Sequence, residues 1–109
     1  MSQDTDRIRA LNDQLRQNLP AGNAVMTLGI AALGSDAVRR LVQTIATFDD
    51  FCAATEPSSE HDFGLFDFDG VSVAFKIEYY DLDLCFHSAD AADPALTTRV
   101  ITVMRADEI

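Results

Sequence analysis

Positive charge is what this chain has least of. Eight Lys and Arg stand against 18 Asp and Glu, a formal charge of −10 over 109 residues. Nucleic acid and anionic membranes are polyanions, so this balance argues against either as a direct partner. Cysteine is scarce as well. Cys52 and Cys85 are the only two and form no C-x-x-C pair. They read as buried or half-buried thiols in a reducing compartment rather than as a disulfide. Long apolar runs are missing. The start, Met1 to Asp6, is polar and acidic and has no apolar core of the kind a signal peptide needs. The most continuous small-apolar stretch, Gly29 to Gly34, is far short of the ~20 residues that span a bilayer. These absences lead us to expect a cytoplasmic protein. There is also no internal repeat and no low-complexity segment.

Hydrophobic residues make up 48% of the chain, enough to build a core. The length fits one domain, residues 1–109. The charge is distributed unevenly. From Asp49 to Asp93 there are twelve acids and one base, Lys76, a net charge of −11. The remainder holds six acids and seven bases and is nearly neutral. Solubility alone would be met by acids anywhere in the chain, so the concentration calls for its own explanation.

Residues Thr5 to Gln17 read as a helix. Ile8, Leu11 and Leu15 form a narrow apolar stripe, with Arg7, Arg9, Asp13 and Arg16 on the outside. Asp4 or Thr5 serves as N-cap and Pro20 marks the far limit. Asn23 to Leu28 reads as a short strand. A second helix opens at Ser35, its expected N-cap, and Val38, Leu41, Val42, Ile45, Phe48 and Cys52 keep the 3.6 period to about Phe51. The segment Thr55 to Glu60 is a loop by composition. The period then changes to two. Phe63 to Phe68 and Val71 to Tyr79 flank Asp69-Gly70, the signature of a type I′ hairpin whose central residues need positive φ. Val71, Val73, Phe75, Ile77 and Tyr79 should face the core. Leu82, Leu84 and Phe86 continue the alternation into a further strand. Thr97 to Met104 reads as the last strand from its β-branched residues, and Arg105 to Ile109 as a frayed tail. The expected fold is α+β in the order α-β-α-β-β-β-β: two N-terminal helices packed on a mostly antiparallel sheet of four to five strands.

Several constellations hold residues capable of chemistry. Glu60-His61-Asp62, Asp67, Asp69, Asp81, Asp83 and His87 offer oxygen and imidazole ligands. As a calcium loop, Asp67, Asp69 and Glu78 would take positions 1, 3 and 12, but position 6 would be Ser72 instead of Gly, and the segment is a strand. A looser metal site or metal-dependent enzyme built on His61, Asp62, Asp81 and His87 stays open as an alternative. Cys85 and His87 lie about 6.7 Å apart on one strand face, too far for a thiol–imidazole hydrogen bond. Gly29 to Gly34 has the G-x-x-x-x-G spacing but is followed by Ser35-Asp36, not Lys-Ser/Thr. No catalytic residue and no cofactor is expected.

What remains is an acidic sheet face. If Phe75 and its neighbours point inward, Lys76, Glu78 and Tyr80 point outward, and Asp81 and Asp83 oppose Leu82, Leu84 and Phe86. Asp67 projects to the outer side as well, with Phe63 and Leu65 at the same parity, which points to a bulge or extra cover. Carboxylates at i and i+2 stand about 6.7 Å apart, a row resembling a phosphate backbone in charge and coarse spacing. Asp67, Glu78, Tyr80, Asp81 and Asp83 are therefore the expected partner-binding residues. The competing reading is a solvated face whose charges prevent edge aggregation.

Several blocks carry a family resemblance: Arg7 to Asp13, Val25 to Gly29, Phe48 to Phe51, Glu60 to Gly64, Lys76 to Asp81 and Asp93 to Val100. Together they resemble the small bacterial family catalogued as domain of unknown function 3768. Glu60 to Gly64 and Tyr79 to Asp81 are the most specific of these blocks. The resemblance implies no activity and no catalytic residues. It implies occurrence on plasmids and other mobile elements of alphaproteobacteria, near anti-restriction-type genes. The expected function is a small non-enzymatic protein that binds a basic surface of a nucleic-acid-handling protein, as an anti-restriction or anti-CRISPR inhibitor would. A homodimeric accessory protein whose charge serves only solubility is a second alternative.

Overall fold

A computed structural model describes residues 3–52 and 59–109; most of the expected loop from Thr55 to Glu60 lies outside the described residues. Helix α1 spans Gln3–Gln17 and is followed by a 3₁₀ turn at Leu19–Ala21. Strand β1 (Asn23–Met26), the short helix α2 (Leu28–Ala31) and helix α3 (Ser35–Thr47) come next. Strands β2 (Phe63–Phe68), β3 (Val71–Tyr80) and β4 (Thr98–Arg105) complete one sheet in the order β1-β4-β3-β2. The fold is α+β. The β2–β3 and β3–β4 ladders are antiparallel, and β1 joins β4 in parallel.

The β2–β3 hairpin turns as its residues dictate. Asp69 and Gly70 have φ of 52° and 82°, the left-handed pair that a type I′ turn requires. Alternation along β3 sends Val73, Phe75 and Ile77 into the core, each 2% exposed or less, with Val71 and Tyr79 half-buried on the same side. Ile101 and Val103 from β4 and Leu41 and Ile45 from α3 fill the rest of that layer. No bulge interrupts the β2–β3 register, so Phe63, Leu65 and Asp67 simply share the outer face. That face is open at Val25, Leu65, Ser72 and Lys76.

Several local expectations are corrected. The buried face of α1 is Ile8, Asn12 and Arg16, at i, i+4 and i+8, while Leu11 and Leu15 are only half-buried. Arg16 is thus inside, not outside. Second, α3 ends at Thr47, because Arg16 takes the carbonyls of Ile45 and Phe48 at 2.8 and 2.9 Å. Its N-cap position is held by Gly34 with φ 97°, and Ser35 is the first helical residue. Third, the stretch expected to finish β1 instead opens α2, whose N-terminus is closed by Glu108 through Thr27 Oγ1 (2.7 Å) and the Gly29 N–H (3.3 Å). Those bonds also remove the expected fraying: Ala106–Glu108 is a 3₁₀ turn, and its bonded carboxyl is held below the usual carboxylate range, first by the Arg105 N–H and then by Thr27. Fourth, residues 81–97 contain no strand. Finally, both cysteines are exposed and unbridged.

Among the described residues no helix is long and apolar enough to cross a membrane. Gly64 is buried where β2 crosses Phe75, and a β-carbon there would enter the Phe75 ring and stand 2.9 Å from Phe48. Gly64→Ala is expected to destabilise the protein by about 1–3 kcal/mol through overpacking. Urea denaturation checks this, and an unchanged midpoint would contradict the packing described.

Candidate functional site

At its C-terminal end, β3 leaves the sheet and doubles back. The Asp81 N–H donates to the Phe86 carbonyl at 2.8 Å, and the Leu84 N–H donates to the Asp81 carbonyl at 3.1 Å. The Asp81 carboxylate accepts the Cys85 N–H at 2.9 Å. Tyr80 bridges His87, and the Ser88 N–H donates to the Tyr79 carbonyl at 3.1 Å. Leu84 sits at φ 60°. The alternation that pointed to another strand therefore belongs to a tight hairpin tip. Its apolar residues face solvent: Leu82 is 63% exposed, Leu84 55% and Phe86 74%. Period two predicted burial here, but among the described residues no second layer covers these side chains.

The five expected contact residues divide between two places. Glu78 and Tyr80 lie on the outer face of β3, directly before Asp81 and Asp83 in the tip. Tyr80 donates to Glu78 Oε2 at 2.9 Å, which raises the phenol's pKa, and the Tyr80 ring stacks on His87. Asp67 lies across from Ser72 at the other end of the sheet. Six residues of strand, about 20 Å, separate Ser72 from Glu78. Between them the outer face presents Ala74 beside Leu65 and Lys76 beside Phe63, so there is no continuous row of carboxylates. Asp67 instead borders a groove of about 750 Å³ against α3, lined also by Arg40, Gln43 and Phe68. There Arg40 pairs with Asp69 at 2.8 Å and lies over the Phe68 ring.

Several acids of the −11 segment build loops. Asp90 accepts the Ala92 N–H at 3.0 Å and Asp93 the Ala95 N–H at 2.9 Å, the Asx-turn geometry that orders residues 90–96. Ser88 and Thr97 hydroxyls close the base at 2.6 Å, and Thr97 donates to the Asp90 carbonyl at 2.8 Å. Asp83 is exposed at the tip, where its backbone carbonyl accepts a bond from the Cys85 thiol.

A buried polar network lies on the inner side of the same end of the sheet, and only part of it was legible beforehand. Asn12, with no exposure, donates to the Glu60 carbonyl at 3.0 Å and to the Tyr79 hydroxyl at 2.8 Å, and accepts from Arg99 Nε at 2.9 Å. The Tyr79 hydroxyl in turn donates a hydrogen bond to Glu60 Oε1 at 2.8 Å. Burial pushes the Tyr79 phenol well above its ordinary value, with Asn12 opposing and Glu60 adding to the rise. Arg99 spans the Tyr79 ring and donates to the Ala91 carbonyl, tying the loop above to α1; burial lowers its pKa, with Tyr79 and Glu60 opposing. Beside it, Asp13 accepts from Arg16 at 2.7 Å and meets His61 Nδ1 at 2.9 Å, while the His61 ring stacks on Phe51. Burial raises the Asp13 carboxyl, but the bonds and charges of Arg16 and His61 outweigh it and hold the pKa below the ordinary value. The i, i+4, i+8 spacing of Ile8, Asn12 and Arg16 was the available signal, hidden because two of the three are polar.

The four residues of the metal alternative do not converge. His61 engages Asp13, while Asp81 and His87 belong to the hairpin tip. Among the described residues no group of three or more His, Cys, Asp or Glu is placed to hold a metal.

Asn12→Ala takes one bond each from the half-buried Arg99 guanidinium, the Glu60 carbonyl and the Tyr79 hydroxyl, so a loss of about 1–3 kcal/mol is expected; a denaturation midpoint close to wild type would contradict the network described. For Asp13 the sign follows from its depressed folded pKa. Its contribution is complete above the ordinary value of 3.8 and is lost as pH falls through the lower folded value. Asp13→Asn should therefore flatten the stability–pH curve below about pH 4, measured by thermal melts across pH 2–6.

No curated protein and no solved structure matches the chain. One family model does, over residues 26–108, a stretch that holds the whole sheet except the first three residues of β1, together with α3 and the hairpin tip. The chain belongs to that family, the proteins of unknown function designated DUF3768.

Proposed function

We propose that this chain is a non-enzymatic cytoplasmic protein that binds a basic surface of a nucleic-acid-handling protein, in the manner of an anti-restriction or anti-CRISPR inhibitor. The observation that carries the proposal is the net −11 between Asp49 and Asp93. Glu78, Tyr80, Asp81 and Asp83 adjoin one another at one end of the sheet. They form the contact surface, and Asp67 lies outside its centre. Asp81, Asp90 and Asp93 shape this end by capping loop N–H groups and, as acidic residues, also give it a negative field. That field steers the protein toward cationic grooves and away from nucleic acid itself. The catalytic-looking groups nearby bond to one another. Tyr79 donates a hydrogen bond to Glu60, and Asp13 is shared by Arg16 and His61, so both groups serve packing in this reading.

Charge reversal tests the proposal. Asp81→Lys with Asp83→Lys should weaken binding to purified restriction or CRISPR effector nucleases at least tenfold at 50 mM salt. The wild-type affinity should itself fall as salt rises to 300 mM, because exposed charge pairs are screened. Affinity unchanged by both the substitutions and the salt would sink the proposal.

A further inference from the structure

We infer that the hairpin tip, residues 81–87, is an apolar anchor that enters a pocket on the partner protein, and that the rim of that pocket carries Lys or Arg. The inference rests on the proposed function only for the sign of the partner's charge. Three large apolar side chains, Leu82, Leu84 and Phe86, project from seven residues of chain at 55–74% exposure. A nucleic-acid mimic that worked by charge alone would have no use for them.

The backbone beneath these side chains is closed upon itself. Asp81 bonds both Phe86 and Cys85, Leu84 bonds Asp81, and Ser88 bonds Tyr79. The tip therefore holds its shape without a partner, and docking it requires little ordering. Leu84 adds a second observation. Its φ of 60° belongs to the left-handed region, where a side chain costs conformational energy and glycine does not. A turn needed only to reverse the chain would be better served by glycine at 84. The leucine is kept outward at the apex of a strained, internally bonded turn, as a contact residue would be.

Charge complementarity selects the occupant. No lysine or arginine stands between Lys76 and Arg99, whereas Asp81 and Asp83 alternate with the three apolar residues. A second copy of this chain would bring two acidic tips together, and an anionic bilayer would repel the same carboxylates. A protein pocket with an apolar floor and a cationic rim satisfies both kinds of side chain. An apolar centre enclosed by a polar rim is the usual anatomy of a compact interface.

The test uses a display library of random 16-residue peptides as the probe, selected on the full chain. Peptides that enrich should combine Lys or Arg with two or more large apolar residues. Their affinity should fall at least tenfold on Leu84→Gly with Phe86→Ser, which leaves the charge unchanged. Leu84→Gly relieves the backbone, so retained thermal stability shows that the loss is not one of folding. Asp81→Asn with Asp83→Asn should reduce the salt dependence and leave the apolar preference. Enriched peptides that are purely cationic and bind the Leu84→Gly, Phe86→Ser variant equally would overturn the anchor while leaving the charge-based function standing. A selection that returns no hairpin-dependent peptide overturns the anchor as well. So does a wild-type dimer in sedimentation that becomes monomeric in that variant, since the occupant is then a second copy.

Discussion

Asn12 and Arg16 lie on the face of α1 that meets the sheet, where burying polar groups costs more than it returns unless every one finds a partner. Asn12 meets that condition with three bonds, to the Glu60 carbonyl, the Tyr79 hydroxyl and Arg99. Arg16 meets it at its two terminal nitrogens, through the two carbonyls at the end of α3 and Asp13, while its guanidinium also lies over the Phe51 and Phe75 rings. Its Nε has no hydrogen-bond partner among the described residues. Satisfying this stripe sets where α3 stops, how Tyr79 ends the inner row of β3, and where Arg99 reaches to hold Ala91. The acidic end of the sheet stands on that arrangement.

The acidity is divided among different tasks. Asp81, Asp90 and Asp93 close turns around backbone N–H groups, Asp69 pairs with Arg40, and Glu78 holds Tyr80. A turn carboxylate serves local geometry and still contributes its field, so structural and electrostatic roles do not compete. The concentration of acids between Asp49 and Asp93 thus has a conformational cause as well as a charge effect. Four of its twelve acids, Asp81, Asp83, Asp90 and Asp93, fall in the irregular segment between β3 and β4, where turns are dense and side-chain acceptors are needed.

The outer face of the sheet is more apolar than strand parity implied, and the hairpin tip is more exposed. Both follow from where helices are present. Helices α1 and α3 supply one layer for the inner face, which holds Val73, Phe75 and Ile77. Beyond Tyr80 the chain has left that layer, and the same apolar alternation produces exposed Leu82, Leu84 and Phe86 instead of core.

Local rules were enough for much of this fold. The type I′ turn at Asp69-Gly70, the inward row of β3, the existence of α1 and α3 and the segregation of charge all depend on neighbours in sequence, because φ preferences and side-chain periods are local properties. The proposed contact residues were likewise legible as members of a charged stretch, though not as two separate places on the sheet. Tertiary structure decided the rest. Arg16 caps a helix 29 residues away, Arg99 reaches Asn12 across 87, and Glu108 closes α2 from the far end of the chain. The parallel seat of β1 beside β4 is of the same kind. Such contacts carry no periodic signal, since they depend on which buried polar group must be satisfied and on what happens to lie within reach of it. The composition specified how much negative charge the protein carries, and the packing determined which of it stands beside an exposed apolar tip.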